Sequence, residues 1–348
     1  MHSKGSDWKR ELNDILKAHT NYHSVKAKGV SFKTMAGRAN FYFAFFAELR
    51  RNDERLYKVL PSGLSGRHVK FMVSRWIARG LSPGTIQVYL SYLRVFAGWI
   101  GKEGMVLGAS SYVSDPSLVR RTLCATTDHS WSAKGISCDE LISRITEYDA
   151  YVAAQLSMLK EFGFRVKEAI MFQPFRAVTE DGKSITLLRG TKGGRLRILP
   201  IDTDAKRAAL DLAERVAVNK DGHLGDPRRS LRQNRTRFYM VLARFGVTKR
   251  QLGVTAHGLR HQYANDRYEH LTGAPSPARG GDRLDREVDR SARLQVASEL
   301  GHARENISTA YLGAIFRGGK LIESKPKRKD RRESTNDGLS RSEPREID

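Results

Sequence analysis

The sequence predicts a mainly α chain of two domains with one small antiparallel sheet. Three observations predict it. Apolar residues recur at helical spacing through the first ~128 residues, the period switches to strand-like alternation only across residues 183–201, and a Gly, Ser, Asp and Pro-bearing passage without sustained periodicity separates the two helical regions. The chain has 348 residues, long enough for two domains with cores of their own.

The N-terminal elements follow in order. Residues 8–17 place Trp8, Leu12, Ile15 and Leu16 on one face, and residues 32–50 repeat the spacing through Phe41, Tyr42, Phe45, Phe46 and Leu49. A third helix is predicted from about Arg67 to Ala78, with Phe71, Trp76 and Ile77 available for burial and Gly80 placed for a left-handed C-terminus. The fourth has Ser82 as its cap, Pro83 in its first turn and a stripe of Ile86, Tyr89, Leu90, Leu93, Phe96, Ala97 and Ile100 ending at Gly101. Residues 102–134 form the irregular passage, so the boundary is predicted near 130, with domains at 1–130 and 131–320 and a basic, disordered tail at 321–348.

In the second domain, Ser137 to Glu140 fits a capping box that starts a new helix. Residues 184–188 and 196–199 read as strands joined across Gly190-Thr191-Lys192-Gly193-Gly194, whose glycines supply the positive φ of a tight hairpin. Helical spacing resumes with Phe238, Val241, Leu242 and Phe245 on one face, and another helix is predicted over 257–268. Residues 271–291, with Gly273, Pro275, Pro277, Gly280 and Gly281 among many charges, read as a flexible insertion.

With 61 Lys and Arg against 38 Asp and Glu, the formal charge is +23. Such an excess predicts salt-sensitive binding to a polyanion, because neutralised phosphates release counterions. No apolar stretch approaches the ~18 residues of a membrane helix, and neither a signal-peptide pattern nor a lipidation motif is found, so a soluble, intracellular protein without a membrane partner is expected. Cys124 and Cys138 lack metal-site or disulfide spacing. The glycine-rich segments do not complete a phosphate-binding loop motif, which argues against a nucleotide site. Arg75, Arg79 and Arg94 are candidate phosphate contacts that would position rather than specify.

Four separated segments carry chemistry. Gly163 to Glu168 places a carboxylate three residues after Arg165, within reach of its guanidinium. His257 and Arg260 are three apart, so both can face one phosphate, and a guanidinium holds two oxygens at once. Lys192 at the hairpin tip can be presented as a general acid, with Arg195 its substitute. Tyr311 can act as a nucleophile if cations and a proton acceptor assist a phenol that otherwise titrates near about 10. Tyr263 and Tyr268 follow Arg260 too closely and read as packing residues, and His261 stays undecided between the site and the opposite helix face.

In order and spacing these segments, including the nine-residue step from His302 to Tyr311, resemble the tyrosine recombinases, the phage-integrase type of site-specific DNA recombinase. The resemblance covers most of residues 136–317, and the helical N-terminal region looks like the family's core-binding domain. It implies catalytic roles for Arg165, Lys192, His257, Arg260, His302 and Tyr311, a 3′-phosphotyrosyl intermediate, and no cofactor or metal. It further implies double-stranded DNA as substrate, a homotetramer at synapsis, accessory DNA-bending or directionality proteins as compatible partners, and a cytoplasmic, nucleoid-associated location. The step of 42 residues from Arg260 to His302 is longer than the family leads one to expect, and residues 271–291 account for it. Two other readings stand beside this one: a non-catalytic DNA-binding or architectural protein of the same fold, and a metal-dependent nuclease, for which the expected Asp and Glu cluster is not evident.

Overall fold

The computed structural model describes residues 7–21, 29–52, 59–191, 194–218, 222–302 and 307–314, with the backbone alone of 316–317 and 320–321. The chain divides into two compact units, Met1–Thr122 and Leu123–Asp348. Residues 123–131 join the second unit because their backbone and side chains are bonded into it: Ala125 N–H donates to Thr309 O (2.9 Å) and Trp131 Nε1 to Thr255 O (2.9 Å).

The first unit is built from α1 (Asp7–His19), α2 (Phe32–Asn52), α3 (Gly66–Ala78) and α4 (Pro83–Trp99). Its core collects the predicted stripes: Trp8, Leu12 and Leu16 of α1, Tyr42, Phe45, Phe46 and Leu49 of α2, and Ile86, Leu90, Leu93 and Phe96 of α4 are all buried. On α3 the face turns from the predicted one. Val69, Met72, Val73 and Trp76 are buried while Phe71 and Ile77 pack only at its margin, because the 69/72/73/76 stripe follows the helical period more closely. Ser82 caps α4 by accepting from Thr85 N–H (3.3 Å), as its sequence predicts. The three arginines read as phosphate contacts are engaged internally: Arg75 and Arg79 share Glu48, and Arg94 donates to the carbonyls of Val106 and Leu107.

The second unit runs α5 (Cys138–Tyr148), α6 (Ala150–Phe162), α7 (Val166–Ile170), α8 (Pro174–Ala177), β1 (Ser184–Leu187), β2 (Arg197–Pro200), α9 (Asp204–Val216), α10 (Leu231–Arg244), α11 (Ala256–Thr272), α12 (Arg286–Glu299) and α13 (Thr309–Leu312), then a short β3–β4 pair (Phe316–Arg317, Lys320–Leu321). Helix α6 is its axis. It is apolar nearly all round, with Val152 through Leu159 buried, and it packs against α5, α9 and α11. β1 and β2 pair antiparallel with Ile185 opposite Leu199, both fully buried, so one face of the hairpin belongs to the core. No described helix is long and apolar enough to cross a membrane. The residues of the expected tail from 322 onward, and Lys192 and Gly193 of the hairpin tip, lie outside the described residues.

Residues 271–291 are not the flexible insertion that their composition suggests. Pro277–Arg279 forms a 3-10 turn, and α12 begins at Arg286 with Asp285 as its cap. The many charges are partners rather than solvated decoration. Arg279 bonds Asp128 (2.9 Å), Asp266 (2.6 Å) and Glu269 (3.1 Å), Ser276 Oγ donates to Asn265, and Tyr268 OH donates to Asp289 (2.6 Å).

Removing the cation from a largely buried ion pair strands its carboxylates, typically at about 3 kcal/mol or more. Arg279→Met is therefore expected to lower urea-unfolding stability by about 2–4 kcal/mol. A loss within about 0.5 kcal/mol, the usual range for surface changes, would return this segment to a loose insertion.

Candidate functional site

The site assembles where four chain segments meet inside the second unit. Helix α6 ends at Gly163, whose left-handed conformation (φ 61°) turns the chain, and an added Cβ there would meet the Tyr263 ring at 2.5 Å. Two residues later Arg165 caps α7. Its backbone N–H donates to Glu168 Oε2 (2.7 Å) and its guanidinium to Glu168 Oε1 (2.7 Å), so one carboxylate both closes the helix end and aims the arginine. Glu168 is fully buried, whereas the Arg165 side chain remains 28% exposed and free to present an edge outward.

Arg260, on α11, is fully buried. Its Nε donates to Tyr311 OH (3.2 Å), one terminal nitrogen to Gly163 O, and the other to Leu300 O, with His302 Nε2 at 3.3 Å. Gly163 and Leu300 are the C-caps of α6 and α12, so two helix ends, each with a partial negative charge, receive this cation. Burial lowers the Arg260 pKa and the Tyr311 hydroxyl opposes that shift, but a guanidinium keeps its proton.

Tyr311 lies on the short α13 and is 7% exposed. Its segment is held from three sides. Ala125 N–H bonds Thr309 O, Arg293 donates to Gly313 O (3.0 Å), and Asn265 Nδ2 reaches Tyr311 O (3.4 Å). Gly313 is required where it stands, since its φ is 71° and a Cβ would meet Ala125 O and Ala278 N at 2.9 Å.

Three imidazoles surround the phenol. The ring centroids of His261, His257 and His302 lie 4.8, 6.0 and 6.1 Å from that of Tyr311. His257 stands at the mouth with an exposed edge; packing on its inner side, then the charges of Arg260 and Arg165, hold its pKa below the ordinary value. Burial pushes His261 down to about 4, aided by His257 and His129, and its Nδ1 is buried without a hydrogen-bond partner. Both rings are thus neutral near pH 7.

Of the six residues singled out in the sequence, Arg165, His257, Arg260, His302 and Tyr311 come together here, while Lys192 lies outside the described residues. Arg195, its substitute, is exposed and lines a recess with Arg197, Ser298 and His302. Tyr263 and Tyr268 are buried and bonded to Glu299 and Asp289, consistent with packing roles. His261 belongs to the site side of α11: it follows His257 by four positions, and that spacing, rather than its adjacency to Arg260, sets its face. Asn265, a further four on, continues the same polar stripe and could have been found by the same rule.

The integrase family model matches residues 119–266, a stretch that contains Arg165, Arg197, His257 and Arg260. Over that stretch the chain is similar to the integrases. Its fold is that of solved recombinases. A lambda integrase dimer bound to a COC′ core site is 14% identical with a TM-score of 0.57, covering 91% of this chain and 99% of that one. The Tn1549 transposon integrase in complex with circular intermediate DNA is 13% identical with a TM-score of 0.54, covering 88% and 96%. XerH site-specific recombinase in a post-cleavage complex with palindromic difH is 18% identical with a TM-score of 0.50, covering 81% and 75%. No curated protein sequence gives a significant match.

Because the folded imidazoles take up protons at lower pH than the unfolded ones, the second unit should keep its full stability above about pH 6.5 and lose part of it as pH falls toward 4. His261→Gln is expected to flatten that slope. Thermal melts at pH 7 and pH 5 read it, and an unchanged difference between the two pH values in the variant would contradict the burial of a neutral His261.

Proposed function

We propose that the chain is a site-specific DNA recombinase that breaks and rejoins duplex DNA through a covalent bond between Tyr311 and a 3′ phosphate. The observation that carries this reading is the 3.2 Å contact of the Tyr311 hydroxyl with Arg260 Nε, with Arg165 and three histidines gathered around the same phenol. The contact holds the phenol oxygen beside the cation that would bind the phosphate, where an attacking nucleophile has to stand.

In the reaction, Arg165 and Arg260 hold the non-bridging oxygens of the scissile phosphate, and preorganised donors of this kind stabilise charge as it develops. The Tyr311 oxygen attacks phosphorus, its proton passing to a neutral imidazole, with His257 nearest the open mouth. The bond from phosphorus to the 5′ oxygen breaks and that oxygen is protonated by Lys192, the general acid of this proposal. His302 shares the phosphate with Arg260. Attack by a 5′ hydroxyl of another strand on the phosphotyrosyl bond reverses the step, so no high-energy cofactor is consumed. The phenol covers a fully buried Arg260, and in this reading it has to shift as the phosphate enters.

The charge of +23 supports a duplex as the partner, and a tetramer on paired sites is the proposed working state here, by analogy with a lambda integrase tetramer that is bound to a Holliday junction. In this reading the first unit, Met1–Thr122, forms the core-binding domain and the second, from Leu123, the catalytic domain, so the boundary lies a few residues before the expected position near 130, with DNA-bending or directionality proteins as accessory partners.

Tyr311→Phe is expected to abolish the covalent adduct on a nicked duplex carrying the cognate site, with DNA affinity retained. An adduct formed by the variant at the wild-type yield would refute the assignment. Arg165→Ala and Arg260→Ala should each lower single-turnover cleavage by about 10²-fold or more. Cleavage that persists in EDTA is expected, and its loss there would favour a metal-dependent nuclease.

A further inference from the structure

Arg197 is the first residue of β2 and its side chain is 1% exposed, a cation placed on the core-facing side of the hairpin beside Leu199. Strand alternation explains the direction, since Arg197 and Leu199 point inward while Ile198 is exposed. Its partners explain why a charge is tolerated there. One terminal nitrogen donates to Glu168 Oε2 (2.5 Å), the other to Glu299 O (2.9 Å), and the guanidinium lies 5.8 Å from the centre of the Phe164 ring.

Each of those two bonds leads to one arginine of the site. Glu168 carries Arg165 on its other oxygen. Glu299 is the last residue of α12, and the next carbonyl, Leu300 O, receives both Arg260 and Arg165. Three guanidinium groups therefore converge on one carboxylate and one helix end, with a single negative charge among Arg165, Arg197, Arg260 and Glu168. Mutual repulsion would spread them unless a rigid element fixed their spacing. Burial, opposed by Glu168, and repulsion from Arg260 and Arg165 lower the Arg197 pKa to about 10.

We propose that Arg197 is a positioning residue: from inside the core it sets the distance between Arg165 and Arg260, and so shapes the phosphate clamp without touching DNA. The inference rests on the recombinase reading above. A lysine keeps the charge but is a point donor, unable to span the carboxylate and the carbonyl in one plane. The Arg197 role is thus one of geometry as well as charge.

The test uses the full chain and a nicked duplex bearing its site, comparing wild type, Arg197→Lys and Arg197→Ala. Arg197→Lys is expected to lower the single-turnover rate constant for adduct formation by about tenfold or more, while the Kd for DNA stays within about threefold. A role confined to folding would lower the fraction of active molecules, seen as adduct amplitude, and leave the rate constant unchanged. In Arg197→Ala, added guanidinium ion at millimolar concentration is expected to restore part of the rate constant. If Arg197→Ala does not fold, Arg197→Lys with Glu168→Gln decides the matter: the double variant should lose less than the sum of the two single losses, because the two changes share the contact between Arg197 and Glu168. A wild-type rate constant in Arg197→Lys would overturn this inference alone, and additive losses in the double variant would do the same. A wild-type chain that forms no adduct would overturn the proposed function and this role with it.

Discussion

The Arg260 guanidinium is the constraint on which the rest of this structure depends. It is a fully buried cation, and its donors reach the last turn of α6, the last turn of α12, and the phenol of α13. Among the described residues its direct compensation comes from helix C-termini rather than from a bonded carboxylate. Aligned peptide dipoles give such ends roughly half a negative charge, enough to hold a cation while leaving its field to act on a nearby phosphate. A bonded carboxylate would have quenched that field. Glu168 serves Arg165 and Arg197 instead, one step removed.

That arrangement has consequences for the sequence around it. Gly163 is dictated by the close approach of Tyr263 and by the turn that exposes its carbonyl to Arg260. Gly313 is dictated by the backbones of Ala125 and Ala278, which enclose the Tyr311 segment from opposite sides. Residues remote in the chain are thereby coupled: Arg279 anchors the turn that carries Ala278 to Asp128, in the irregular passage whose Ala125 also bonds Thr309. His257 and His261 complete the enclosure, and as neutral rings they offer nitrogens able to accept a proton near a phenol.

Much of this was legible in the residues. Helices α1 to α4 were readable because each has a stripe at helical period and two of them have clear end signals, Ser82 and Gly101 at α4 and Gly80 after α3. The β1–β2 hairpin was readable from its change of period and its glycines. Arg165, His257, Arg260, His302 and Tyr311 were readable from spacing joined to a family resemblance, and the fold brings them together. What escaped was set by tertiary partners. The ordering of residues 271–291 depends on Asp128, far away in the chain, and no local pattern reports that Arg279 will meet it. The burial of Arg197 depends on Glu168 and on the end of α12, so an arginine in a basic hairpin gave no warning of its place in the core. His261 stays undecided in the sequence while its adjacency to Arg260 is weighed against its four-residue step from His257, and the fold settles it on the site side.

The proposed chemistry turns on which atom becomes joined to DNA. The most direct measurement is peptide mapping by mass spectrometry of the wild-type chain trapped on a duplex whose nick lets the 5′ fragment diffuse away. The predicted result is a nucleotide phosphate attached through the peptide that contains Tyr311, on its phenolic oxygen. A nucleotide attached to Tyr263, Tyr268 or any other side chain, or cleavage that leaves no covalent peptide at all, would contradict it.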